Sequence, residues 1–103
     1  MKKTFQLVHP KIKPARLIEA VRRDVKKYIK REKRKSLPEG VDYWDFDCKY
    51  GPTEAKAEII LTSEISKCIT EAEAENLESF YLEILAKPGH KKNPKTFETL
   101  DKN

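Results

Sequence analysis

Apolar residues recur at intervals of three and four positions in the first third of the chain, and this spacing constrains the fold more than any other feature of the sequence. The residues concerned are Leu17, Ile18, Val21, Val25, Tyr28 and Ile29. Such a period is typical of an α-helix with one apolar face. Pro14 stands where a first helical turn tolerates proline, and turn residues follow at 36–40. The pattern predicts a helix over residues 14–35, roughly 33 Å long.

Three other segments have the two-residue period of half-buried strands. We predict the first strand over residues 4–9, the second over 41–50 and the last over 77–86. The residues that share one face of each strand are Phe5, Leu7 and His9; Trp44, Phe46, Cys48 and Tyr50; and Phe80, Leu82 and Ile84.

The segment between the second and last strands fits two structures. In the first, residues 55–61 form a hairpin with the aromatic strand, and a helix follows over 63–76 and stops at Asn76. The shared strand face would then hold Ala57, Ile59 and Leu61. In the second, one long helix begins at Thr53. We favour the hairpin because Thr62-Ser63-Glu64 is typical of a new helix N-cap.

The order of elements predicts an α+β fold of the ferredoxin-like βαββαβ type, with an antiparallel sheet and two helices on one face. If one long helix fills the ambiguous segment, the alternative is a βαβαβ fold with a three-stranded sheet. A chain of 103 residues fits one domain. We place that domain at residues 1–87 and expect a flexible polar tail at 88–103.

Charge is distributed unevenly along the chain. Residues 1–38 hold 14 Lys and Arg against 3 Asp and Glu, whereas residues 39–86 hold 3 against 12. Residues 87–103 are again basic. The formal net charge of +5 therefore conceals a strongly cationic first third and an anionic middle.

Seven of the 14 cations of the first third fall on the predicted helix, on the side away from its apolar face. They are Arg23, Lys26, Lys27, Lys30, Arg31, Lys33 and Arg34. Asp24 and Glu32 are the only acids after Glu19 in this helix. The stripe has three interpretations: a solvated surface, a site for phosphates or nucleic acid, and a site for an acidic protein.

We take the second interpretation as the leading functional hypothesis, a non-enzymatic module that binds RNA or another polyanion. In the RNA-recognition version of this fold, aromatic residues on two central strands stack on bases. The predicted third strand has no aromatic residue and the first has only Phe5. We therefore expect contacts to the nucleic-acid backbone, with weak sequence specificity.

Two other classes of function remain open. Tyr43 and Tyr81 on an exposed sheet could form an apolar patch for self-association or for a protein partner. Asp45 and Asp47 share a strand face near Asp42, and paired carboxylates can bind Mg²⁺ in a metal-dependent hydrolase. Lys49 and neighbouring cations are the simpler partners for these acids.

No cofactor or metal ligand set is expected. Cys48 and Cys68 lie far apart in sequence, and with His9 and His90 they match none of the short ligand spacings of zinc modules. Cys48 shares a strand face with Trp44 and Phe46, so we expect buried, reduced and unreactive thiols.

No membrane span or secretion signal is expected. The apolar stretch after the N-terminal lysines covers only residues 5–8, too short for a signal peptide. These observations place the protein in the cytoplasm.

Three stretches, VHPKIKPAR (residues 8–16), WDFDCKYG (44–51) and ESFYLEILAKPGH (78–90), resemble those of a short bacterial family of uncharacterised proteins. The resemblance covers roughly residues 1–91 and ends in the tail. It implies a stand-alone bacterial protein, and it transfers no activity and no catalytic residue.

Overall fold

The computed structural model describes residues 1–91 of the chain. Its elements are β1 (Lys2–Gln6), α1 (Pro14–Lys33), β2 (Tyr43–Gly51), β3 (Glu58–Ile60), α2 (Ile65–Ala74) and β4 (Ser79–Gly89). A 3-10 turn at Thr62–Glu64 leads into α2. This order confirms the predicted α+β class and the βαββαβ arrangement of the ferredoxin-like kind. The alternative βαβαβ fold is wrong, because a strand and a helix both form between β2 and β4.

The four strands form one sheet in the order β1-β4-β2-β3, and every neighbouring pair is antiparallel. The long strands β2 and β4 are therefore central, and β1 and β3 are the edges. The argument against base stacking assumed that the first and third strands are the central ones. That assumption is wrong, because β2 and β4 are central. Strand β3 has only three residues, so it covers only part of β2.

Both helices pack on one face of the sheet, and the core lies between the helices and the sheet. The central strands contribute Phe46, Cys48, Phe80, Leu82 and Ile84 to this core; α1 contributes Ile18, Val21 and Val25; and α2 contributes Ile65, Ile69 and Ala72. The strand faces predicted for β2 and β4 are thus confirmed. Phe5 of β1 stacks on Phe80 with ring centroids 5.5 Å apart.

Element boundaries shift by a few residues from the predicted ones. Strand β1 covers residues 2–6 rather than 4–9, and His9 is exposed in a turn where its Nδ1 accepts the Lys11 N–H at 3.0 Å. His9 therefore does not share a strand face with Phe5. Helix α1 ends at Lys33, two residues before the predicted end.

The side of β3 that faces the core differs from the prediction. Ile60 pairs with Cys48 and packs against the core, whereas Ile59 and Leu61 are 82% and 67% exposed. The segment has apolar residues at both odd and even positions, so its own pattern leaves the register open. The register is set by Ile60, which lies opposite the fully buried Cys48.

Helix α2 begins and ends with two different capping devices. The Glu64 carboxylate accepts the Leu61 N–H at 2.8 Å, and no side-chain oxygen of the Thr62-Ser63 pair caps the helix. At the other end, Asn76 adopts a positive φ of 55°, which confirms it as the residue that stops the helix.

Strand β4 continues to Gly89, so the first two residues of the predicted tail belong to the sheet. Residues 92–103, the remainder of that predicted tail, lie outside the described residues. Within the described part, no helix combines the length and apolar character needed to cross a membrane.

Candidate polyanion-binding face

The outward side of α1 carries six of the seven cations predicted from the sequence, Arg34 follows as the C-cap residue, and all seven are exposed. We call this group the cationic face: Arg23, Lys26, Lys27, Lys30, Arg31, Lys33 and Arg34. Because Ile18, Val21 and Val25 are buried against the sheet, the rotation of the helix is fixed. The cationic face therefore points away from the core.

Acidic groups do not pair with the cationic face in the part of the chain that the structure describes. Over residues 1–91, the ion pairs link Lys35 with Glu32, and Lys87 with Asp45 and Asp47. The charge of the cationic face is thus left to water, salt and any ligand.

Glu32 is the one buried acid of α1, and its burial keeps it off this face. Its residue is only 8% exposed, and its carboxylate lies 2.5 Å from the Lys35 ammonium. The hydrogen bond from Lys35 holds the pKa of Glu32 below its ordinary value, with partial burial acting in the opposite direction. Glu32 therefore stays charged at neutral pH and neutralises Lys35, which lies outside the cationic face.

Arg22 anchors the inner flank of this face to α2. Its guanidinium donates to the Ser66 hydroxyl at 2.8 Å and to the Thr70 hydroxyl at 2.7 Å. Lys26 and Ile29 line the groove between the helices beside this contact. Sequence reasoning missed this role, because Arg22 resembles every other exposed cation until α2 is placed next to it.

Beyond Ile29, α1 extends past the start of α2. No residue of α2 lines the surface formed by Lys26, Ile29, Lys30, Lys33 and Arg34. The C-terminal part of the cationic face is therefore accessible from its top and from its inner flank.

A cleft adjoins this C-terminal part, and we call it the end cleft. It is lined by Lys33, Leu37, Asp42, Tyr43 and Trp44. The indole Nε1 of Trp44 donates to the Lys35 carbonyl at 2.9 Å, which ties the end of α1 to β2. Leu37 and Tyr43 are 43% and 41% exposed. The sequence pattern did not predict this cleft, since its residues belong to a helix end, a loop and a strand start.

The open face of the sheet, opposite the helices, is mainly charged. Asp45 and Asp47 share this face as predicted, but their partner is Lys87 rather than Lys49. The Lys87 ammonium lies 2.6 Å from Asp47 and 4.0 Å from Asp45. The hydrogen bond to Asp47 raises the pKa of Lys87 above its ordinary value. These carboxylates therefore already have a cationic partner.

The third predicted acid, Asp42, lies apart from that pair and accepts the Lys91 N–H at 2.8 Å. No group of three or more His, Cys, Asp and Glu side chains over residues 1–91 is arranged to hold a metal ion. The structure thus does not bring the acidic trio together around one point.

The two cysteines are free and buried, as predicted. Cys48 Sγ lies 3.7 Å from the Thr62 hydroxyl, and burial raises the pKa of both thiols. A raised pKa lowers the thiolate fraction at neutral pH, so neither thiol is an activated nucleophile.

Tyr81 is not part of an exposed patch, contrary to the expectation for self-association. It lies on the open face but is only 4% exposed. Its hydroxyl donates to Glu83 at 2.7 Å, and the loop between β2 and β3 passes over its partner Gly51. Tyr43 is the only one of the two tyrosines that solvent reaches to a large extent.

A family model described as a family of unknown function (DUF6172) matches residues 1–95, and the chain belongs to that family. No curated protein and no solved structure is similar enough to count as a match. The family has no assigned activity to transfer, so the geometry of the cationic face carries the functional inference.

Proposed function

We propose that this member of a family of unknown function is a non-enzymatic, cytoplasmic module that binds RNA through the cationic face of α1. One observation carries the proposal: seven exposed cations lie on α1 and its C-cap residue, and no acid among the described residues forms an ion pair with them. A surface that needs only solubility can mix both signs of charge, whereas beside Lys27 and Arg31 this one has only Asp24, which forms no ion pair with them among the described residues.

The spacing of the cations suits a phosphate backbone. Arg23, Lys27, Lys30 and Arg34 follow one another by four, three and four residues, which places them about 4.5–6 Å apart along the helix axis. Each phosphate that meets such a cation releases a condensed counterion. Binding is therefore driven by the nucleic-acid backbone and depends strongly on salt.

The proposal is tested by reversing three of these charges. In the variant Lys27→Glu, Lys30→Glu and Arg34→Glu, we expect RNA binding to disappear while the fold persists, because all three side chains are exposed. For the unmodified protein, a titration of labelled single-stranded RNA at several salt concentrations should show a steep dependence. Four to seven phosphate contacts predict a slope of log K against log salt of about −3 to −5.

A matched control separates the cationic face from net charge. The variant Lys11→Glu, Lys56→Glu and Lys67→Glu changes the net charge equally, at exposed positions outside α1. It should keep most of the RNA affinity. If both variants lose affinity equally, or if affinity does not respond to salt, the cationic face is not the binding site.

Self-association is a second candidate function, and one observation favours it. Ile59 and Leu61 are 82% and 67% exposed at the edge of the open sheet face, near Leu85 at 37%. The patch is interrupted, since Ile59 pairs with Lys49 and Leu85 pairs with Asp47. These charged neighbours weaken any apolar contact between two copies.

This second candidate predicts a mass above 12.0 kDa at micromolar concentration, measured by sedimentation. The variant Ile59→Lys and Leu61→Lys should restore the monomer. Val8→Lys, at another exposed apolar position, should have no effect. A monomer for the unmodified protein rules the candidate out.

A further inference from the structure

The end cleft and the cationic face meet at Lys33. Lys33 lines the cleft together with Leu37 and Tyr43, and it also lines the surface formed by Lys30 and Arg34. A polymer whose charged backbone lies on the cationic face therefore passes the mouth of an aromatic cleft.

We infer that the end cleft receives an unpaired base of single-stranded RNA whose phosphates lie on the cationic face. This inference rests on the proposed function and adds the form of the nucleic acid to it. In a duplex, the faces of each base are stacked between neighbours, so a base can enter a side cleft only from an unpaired strand.

The lining of the cleft favours a base over a phosphate. Leu37, Tyr43 and Trp44 supply apolar and aromatic surface, and every base has a π-face that such surface can accept. Asp42 adds a carboxylate, which repels a phosphate but can accept the N–H groups of a base. Only Lys33, at the border with the cationic face, favours the phosphate that follows.

The aromatic side chains of the cleft are held in place before any ligand arrives. The indole N–H of Trp44 is fixed by its bond to the Lys35 carbonyl. Tyr43 borders the cleft from the other side of β2, with its ring over Gly89 on the open face, where a side chain of any other residue at position 89 would collide with it. A fixed platform loses little conformational freedom on binding, which supports affinity.

The experiment uses Trp44 as a reporter, since it is the only tryptophan of the chain. The full-length protein is titrated with a single-stranded 12-nucleotide RNA, with the same sequence as a duplex, and with inorganic polyphosphate, which has charge but no bases. We expect the single strand to quench Trp44 fluorescence, and polyphosphate and the duplex to bind without that quenching.

Two variants test the contribution of the cleft. Leu37→Ser alone, and Leu37→Ser with Tyr43→Ser, should weaken single-stranded RNA binding, the double variant by about tenfold. Neither should change the affinity for polyphosphate. Tyr43→Phe keeps the ring and should bind RNA as the unmodified protein does. Unchanged polyphosphate binding also shows that the fold is intact.

The outcomes distinguish the two levels of the proposal. If the cleft variants bind single-stranded RNA like the unmodified protein, while reversal of Lys27, Lys30 and Arg34 abolishes binding, the cleft inference is wrong and the cationic face remains the site. The cleft inference is also overturned if the variants lose polyphosphate and RNA affinity equally. If charge reversal changes nothing, the proposed function itself fails.

Discussion

Tyr81 is buried because of Gly51, a glycine that is remote in sequence but lies opposite Tyr81 in the sheet. Gly51 pairs with Tyr81, and a Cβ at Gly51 would lie 2.6 Å from the Ala57 Cα. Because glycine has no side chain, the loop after β2 can fold down at this point and cover the open face. Burial, followed by the hydrogen bond to Glu83, raises the pKa of Tyr81 to about 12.

This raised pKa makes a prediction about alkaline stability. The folded state holds the Tyr81 proton more tightly than the unfolded state, whose pKa is near 10. The resulting stabilisation is complete below pH 10 and is lost as the pH rises toward 12. Urea unfolding at a series of pH values should show that the free energy of unfolding declines over that interval. The variant Tyr81→Phe should show a smaller decline.

Tyrosinate absorbance provides the control for this prediction. In the unmodified protein, Tyr81 should titrate near pH 12, and Tyr81→Phe should reduce the absorbance change there by one tyrosine. A parallel variant, Tyr43→Phe, should leave that step in place. If Tyr81→Phe titrates like the unmodified protein, the covering loop does not protect this hydroxyl.

Single residues were predictable where a period alone decides their position. The exposure of the cationic face and the burial of Cys48 both follow from the spacing of apolar residues in one element. Tyr81 was not predictable, since its own strand places it on the open face and a distant loop buries it. The choice of Lys87 over Lys49 likewise depends on which strand lies beside β2.

Strands β2 and β4 extend beyond both edge strands and form a two-stranded ribbon over residues 43–47 and 85–89. Strand β4 pairs with β1 only as far as Glu83, and β2 pairs with β3 only from Cys48 onward. Two free margins of backbone result, and free margins can pair with strands of other molecules.

One residue on each margin of the ribbon removes a backbone donor. The N–H of Phe46 donates to the Asp45 carboxylate at 2.8 Å, so it is not available to another strand. On the other margin, the Ile84 N–H points to the Met1 carbonyl, and the N–H groups two and four residues later would share that direction. Pro88 occupies the last of these positions and has no N–H.

Replacement of both Asp45 and Pro88 should create sheet edges that pair with strands of other molecules. We expect the variant Asp45→Thr with Pro88→Val to associate with rising concentration, measured by sedimentation against the unmodified protein. Asp47→Thr is the matched control, because the Asp47 carboxylate bonds to Lys87 and to no backbone N–H. If the double variant sediments like the unmodified protein, these residues do not guard the ribbon.

The elements differ in how well their sequences define them. The long period of α1 places its apolar face and its start correctly, and its end within two residues. Strand β3 is too short for its pattern to choose a face, and Ile59 and Ile60 exchange places relative to the prediction. Short elements take their register from neighbours, and those neighbours are remote in sequence.

At the scale of the whole molecule, the order of elements was predictable but the order of strands was not. A sheet with β1 and β3 at its centre would satisfy the same alternation of polar and apolar residues. The observed order puts the two longest strands in the centre, where β2 pairs with β4 along its whole length and each of the two pairs with an edge strand over part of its length. Side-chain patterns describe the faces of a strand and contain no information about its lateral neighbours.

The cationic and anionic segments of the sequence also lie on different parts of the folded surface. Half of the cations of the first third form the cationic face, while the exposed acids Glu71 and Glu73 lie on α2. An approaching polyanion is therefore attracted to one side and repelled by another, which orients it before contact.

The overhang of α1 beyond α2 has a mechanical consequence for any polymer that binds there. The cations of this part of α1 are accessible from its top and from its inner flank, so a flexible single strand can bend across the helix and contact more of them. A stiff double helix, with a persistence length of about 50 nm, cannot bend over so short a distance and contacts fewer of them. The flexibility of the ligand, more than its nucleotide sequence, should then determine its affinity for the protein.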